Sequence, residues 1–127
     1  MVESLQLGLR IVLALVFVGM GILHFIPGPA RAMAGMIPPA MRGPRWPSPR
    51  ALVIFTGLCE IAGGIGLLIP PTRTAAAIAL VVFLVAVFPA NAYAAKYPER
   101  FGRVAIPFWP RLIGQVVLMA LIVLAIL

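Results

Sequence analysis

The chain has 127 residues, of which 63% are hydrophobic and 10% charged, with a mean hydropathy of +1.13. A soluble domain carries about a quarter charged residues, and one this apolar would expose patches that aggregate, so the composition calls for lipid as the solvent. The net charge of +7 comes from cations grouped between apolar runs, not from a basic helix face or an aromatic-basic platform, which argues against a nucleic-acid partner.

The length suits one domain, residues 1–127. Four apolar runs predict four membrane-spanning helices, each near the roughly 20 residues needed to cross the hydrocarbon. Lipid offers no partner for backbone groups, so each run must satisfy its own as a helix. The first run is Gln6–Ile26, with Gly21 and His24 near its end. Its start carries Glu3 and no basic cluster, so it is expected to stay as a membrane helix and not be removed as a signal peptide. The connection Pro27–Arg50 follows, rich in proline and holding Arg31, Arg42, Arg45 and Arg50. Its prolines rule out a long helix. Met33, Met36, Ile37 and Met41 are too apolar for a solvated linker, which predicts a short helix near Ala30–Met36, interfacial or folded back over the helix ends. Such a segment serves as an anchor or as a lid.

The second run, Ala51–Ile69, contains Glu60, and Pro70–Arg73 makes a tight turn. The third run, Thr74–Ala95, carries Asn91 just after Pro89, whose ring removes a helical hydrogen bond and frees the Val85 carbonyl. The connection Lys96–Pro110 holds Lys96, Arg100 and Arg103, and the fourth run, Phe108–Leu127, opens with Arg111 and Gln115 on one face. The first and third connections carry most of the cations, so the positive-inside rule places them in the cytoplasm and both termini outside, in a multi-pass protein of the plasma (inner) membrane. Trp46, Tyr97 and Trp109 fall beside that same interface, where amphipathic rings prefer to sit. The expected fold is all-α, an antiparallel bundle of four transmembrane helices with a short helix in the first loop.

Glu60 is the residue that needs an explanation. A carboxylate within the bilayer costs about 2.5–3.5 kcal/mol even on insertion scales, so it must be paired, protonated or wet. Its neighbours one turn away are Thr56, Gly57, Gly63 and Gly64. All are small and let a second backbone approach, and Thr56 can donate to the carboxylate. Glu60 lies about ten residues beyond Arg50, so about 15 Å deep at 1.5 Å per residue. His24, Asn91, Arg111 and Gln115 lie shallower in the same half, and Arg10 alone among the strongly polar membrane residues falls in the other. This predicts a polar pocket inside the bundle, open or lidded on the cytoplasmic side, lined by Glu60, His24, Asn91, Arg111, Gln115 and Thr56. The separate roles stay open: Arg111 reaching lipid phosphates, His24 as an interfacial residue, Asn91 and Gln115 as interhelical hydrogen bonds.

One cysteine, Cys59, forms no internal disulfide, and one histidine cannot ligate a haem twice. No self-sufficient redox or metal motif is present, which argues against an enzyme acting alone. Cys59 points about 100° away from Glu60 and reads as a small apolar side chain.

The segments "GILHFIP", "MIPP", "TGLCEIAGGIGLLIPPTRTAA", "VFPANAYAA" and "RLIGQ" together resemble the DoxX-like family of small four-helix membrane proteins, over nearly the whole chain. Where the family carries proline before leucine-glutamine, this chain has Ile113 and Gly114. The resemblance implies a redox-associated membrane protein, with His24, Glu60, Asn91, Arg111 and Gln115 at the family's recurrent polar places. The expected function is binding of a small molecule, a quinone or a lipid, as an accessory of a redox complex, with the lipid bilayer, a membrane protein or a second copy as partner. A proton-coupled exporter is one alternative: the small multidrug resistance family also has four helices and one membrane glutamate, but a weaker loop charge bias. A membrane-protein assembly chaperone without chemistry is the other.

Overall fold

A computed structural model describes residues 2–96 and 108–127. They form helices without a strand: α1 (Val2–Leu23), α2 (Pro27–Gly35), α3 (Pro49–Leu68), α4 (Arg73–Lys96) and α5 (Phe108–Ile126). Four of these, all but α2, are long and apolar enough to cross a membrane. Tyr97, Arg100 and Arg103, which entered the expectation for the third connection, lie outside the described residues.

The helix ends follow local chemistry. α1 stops at Leu23 rather than Ile26, so His24 falls in the turn beyond it. Pro27 disfavours the helical conformation for the residue before it, and Ile26 is extended at φ −88°, ψ 127°. The loop helix starts at Pro27, earlier than expected, because Pro27 and Pro29 occupy its first turn, where an amide has no acceptor anyway. Its other end is tied by Arg42, whose Nε donates to the Ile37 carbonyl (3.0 Å) and whose Nη2 donates to the Ala34 carbonyl (2.7 Å). A cation suits the negative end of the helix dipole. Ser48 caps α3, its hydroxyl accepting from the Ala51 amide at 3.2 Å, and Pro49 takes the first helical position. At the far end of α3 the Thr72 hydroxyl donates to the Gly66 carbonyl (2.9 Å) and Arg73 Nε donates to that of Leu67 (3.3 Å). α4 runs through Pro89 without a break.

α3 is the most enclosed of the four long helices. Its buried residues include Val53, Gly57, Glu60, Gly64 and Leu67, a stripe spaced alternately four and three, which is the seam of a helix packed along its length. Glu60 therefore occupies a core position. α1 offers Leu13, Ala14, Phe17 and Gly21 as its buried face. A Cβ built on Gly21 would stand 2.8 Å from the Gly57 carbonyl oxygen, and one on Gly64 would stand 3.2 Å from that of Ala14. Small residues at these crossings bring the two backbones together, as expected where packing and not the hydrophobic effect drives association in lipid.

The largest fully buried side chains are Phe17, Leu13, Leu67, Leu80 and Ile122. They cluster with Ala76, Ala77, Leu84 and Ala125, toward the Pro70–Thr72 turn and away from His24 and the Pro27–Ser48 loop. At that same end α1 holds the last turn of α5. Gln6 Nε2 donates to the Leu124 and Leu127 carbonyls (3.0 and 2.6 Å), and Arg10 Nη1 donates to that of Ala125 (2.8 Å). Those carbonyls have no intrahelical partner, and Arg10 also meets the negative end of the dipole. Arg10, the exception in the sequence pattern, is thus a cap supplied by another helix. Arg10→Leu is expected to cost about 1.5–3 kcal/mol, the scale of a hydrogen bond to a charged group, and Gln6→Ala about 0.5–1.5. Thermal unfolding in detergent measures both, and an Arg10→Leu protein as stable as wild type would refute the capping role.

Candidate functional site

The site is built where α1 crosses α3. The turn after Leu23 places His24 over α3, with its amide donating to the Gly21 carbonyl at 3.2 Å. Gly57 makes room for it: a Cβ there would stand 2.6 Å from His24 Cβ. The imidazole sits in the notch left by this glycine, and Glu60 is the next seam residue along α3. His24 Nδ1 lies 3.3 Å from Glu60 Oε2, with the two side chains only 11% and 10% exposed.

His24 Nδ1 also lies 2.7 Å from the Met20 carbonyl oxygen. A carbonyl only accepts, so the shorter contact places the proton on Nδ1. One N–H then stands between two acceptors. The carbonyl takes it, and Glu60 Oε2 is left buried without a hydrogen-bond partner among the described residues. Burial holds the imidazole below its ordinary value of 6.5, against the raising effect of the hydrogen bond to Met20, which favours neutral His24 near pH 7.

Thr56 does not bond to Glu60 as its position suggested. Its hydroxyl donates to the Val53 carbonyl of its own helix at 2.9 Å, the competing acceptor always within reach of a helical threonine. Asn91 and Arg111 meet across α4 and α5, with Arg111 Nη1 donating to Asn91 Oδ1 at 3.1 Å. Gln115, one turn further along α5, is half-buried, and its Oε1 is buried with no hydrogen-bond partner among the described residues. Direct contacts therefore join the expected residues as two pairs, Glu60 with His24 and Asn91 with Arg111. Two apolar surface grooves, one of about 230 Å³ between α4 and α5 and one of about 380 Å³ between α1 and α5, are lined by none of them. Among the described residues no three of His, Cys, Asp and Glu come together to hold a metal.

Two contributors escaped the sequence reading. The Met20 carbonyl left no signal, since any residue supplies one. The role of Gly57 as the seat of His24 had a signal, the matched spacing of seven in Ala14–Gly21 and Gly57–Gly64, which marks two small-residue stripes able to face each other.

No curated relative and no solved structure matches the chain. A family model does, over residues 13–126, a stretch that includes Glu60, His24, Thr56, Asn91, Arg111 and Gln115. The chain belongs to the family defined by this domain of unknown function, DUF8561.

Proposed function

We propose that this protein is a multi-pass protein of the plasma (inner) membrane, an antiparallel four-helix bundle with both termini outside, that binds a small hydrogen-bonding molecule between its helices. The observation that carries this reading is that Oε2 of Glu60, buried beside His24, has no hydrogen-bond partner among the described residues. An ionisable residue at this depth is expensive, and a structural pair would satisfy its own oxygens. Glu60 instead keeps an acceptor free for a ligand or a proton, and His24 is a titratable neighbour able to exchange one. Gln115 Oε1, also buried and free of a partner among the described residues, offers a second acceptor on another helix.

Packing supports the same location. The fully buried large side chains lie toward the Pro70–Thr72 turn, whereas His24, Asn91 and Arg111 lie at the opposite ends of their helices and Glu60 near the middle of α3. α2 packs against α3 and would cover the pocket as a lid. The resemblance of its segments to the DoxX-like family suggests a quinone as the ligand and a redox complex as the setting. In that arrangement Glu60 and His24 would carry the proton, and Asn91, Arg111 and Gln115 would orient the ligand oxygens.

The test is extraction and native mass spectrometry of protein purified in mild detergent. Wild type is expected to retain a small molecule that Glu60→Gln loses at least about tenfold, the effect of roughly 1.4 kcal/mol, within the range of one charge-assisted hydrogen bond. Equal retention by Glu60→Gln would sink the reading, and a co-purifying protein in both would favour an assembly role. A reporter fused to the C-terminus is expected to be active outside the cytoplasm, and activity only inside would reverse the orientation.

A further inference from the structure

We infer that the segment from Phe25 to Arg50 is a docking surface for the headgroups of anionic phospholipids in the adjoining leaflet. The inference does not use the Glu60 site. It rests on charge, exposure and the place of the segment in the chain.

Between Glu3 and Glu60 the sequence contains no acidic residue, and residues 25–50 contain four arginines. Arg31, Arg42, Arg45 and Arg50 are all exposed. Arg31, Arg45 and Arg50 make no side-chain hydrogen bond or ion pair among the described residues. Arg42 differs: its Nε and Nη2 bind the Ile37 and Ala34 carbonyls. It pins the loop to the end of α2, and Ile37 in the same loop is buried, 7% exposed. The remaining three guanidinium groups are therefore carried on a fixed frame, not on a free linker.

The segment joins the ends of α1 and α3, which touch at Gly21 and Gly57, so it must lie where these two helices leave the hydrocarbon. α2 buries none of its residues. Exposed apolar side chains accompany the cations: Phe25, Ile26 and Trp46 are 44%, 43% and 46% exposed. A soluble acidic partner would leave these unpartnered in water. A membrane surface accepts both, with Trp46 and Phe25 at the acyl boundary and the guanidinium groups at the phosphates. The positive-inside rule explains why arginines stand on this side. It does not require them to be held on a folded frame beside exposed apolar side chains.

The experiment uses the full chain, purified and placed in nanodiscs of phosphatidylcholine with phosphatidylglycerol. Native mass spectrometry after gentle release reads the ratio of the two lipids still bound. Wild type is expected to enrich phosphatidylglycerol, and the enrichment to fall about fivefold for each of Arg31, Arg45 and Arg50 replaced by glutamine. It is also expected to weaken as salt is raised. Arg73→Gln, at the other end of the bundle, removes the same charge and is expected to leave the enrichment intact. Should a variant combining all three replacements not fold, the single Arg31→Gln and Arg45→Gln variants carry the test. Enrichment unchanged in these variants, insensitive to salt, or lost equally in Arg73→Gln overturns the inference.

Discussion

Alanine at Gly57 or Gly21 is expected to separate α1 from α3 and to cost about 1–3 kcal/mol, the range for overpacking a close-fitting site. The new methyl at Gly57 would stand 2.6 Å from His24 Cβ and 3.0 Å from the Gly21 carbonyl oxygen. At Gly21 it would stand 2.8 Å from the Gly57 carbonyl oxygen and 2.6 Å from Ile61 Cγ1. Backbone atoms cannot rotate aside, so the helices themselves must move. Gly63 gives a contrast, because the atoms its methyl would meet are the branched end of Leu80, which can shift at lower cost. Gly8, Gly19 and Gly114 have nothing within 4 Å of an added methyl, and alanine there gains up to about 1 kcal/mol of helix propensity. The expected order of thermal stability in detergent is therefore Gly19→Ala at or above wild type, Gly63→Ala lower, and Gly21→Ala and Gly57→Ala lowest. If Gly57→Ala melts with Gly19→Ala, the notch that seats His24 is not a close contact.

Glu60→Gln is expected to fold nearly as well as wild type, whereas Glu60→Leu loses about 1–3 kcal/mol through misfit on a face lined by Gly57 and Gly64. Glutamine keeps the shape and the hydrogen-bonding groups. Neither change orphans the imidazole, because His24 Nδ1 keeps the Met20 carbonyl at 2.7 Å. The loss in Glu60→Leu is thus a packing loss, readable as a lower melting temperature, distinct from the loss of bound ligand expected of both variants under the proposed function. If leucine is as stable as glutamine, the acid does not sit in a close-packed polar site.

Much of the architecture was legible in the sequence because it depends on local quantities. Hydropathy over about 20 residues marks the spans, and the described helices α1, α3, α4 and α5 begin and end within a few residues of the four runs. The differences have local causes too: Pro27 ends α1 before His24 and starts α2 early. The small residues around Glu60 pointed to a packed face, and the stripe of Val53, Gly57, Glu60, Gly64 and Leu67 is that face. The Asn91–Arg111 bond joins two residues that the pattern had placed in the same half of the bundle.

What only the tertiary structure decided are the distances between residues far apart in the chain. Periodicity tells which way a side chain points from its own helix. It does not tell how far a second helix slides or turns against the first. That freedom is removed by contacts such as Gly21 against Gly57, and these contacts put His24 within 3.3 Å of Glu60 while sending the Thr56 hydroxyl to its own backbone. The same limit hid the role of Arg10. Its partner is a carbonyl at Ala125, and backbone carbonyls are identical at every position in the sequence, so only the packing of α1 against the end of α5 selects one of them.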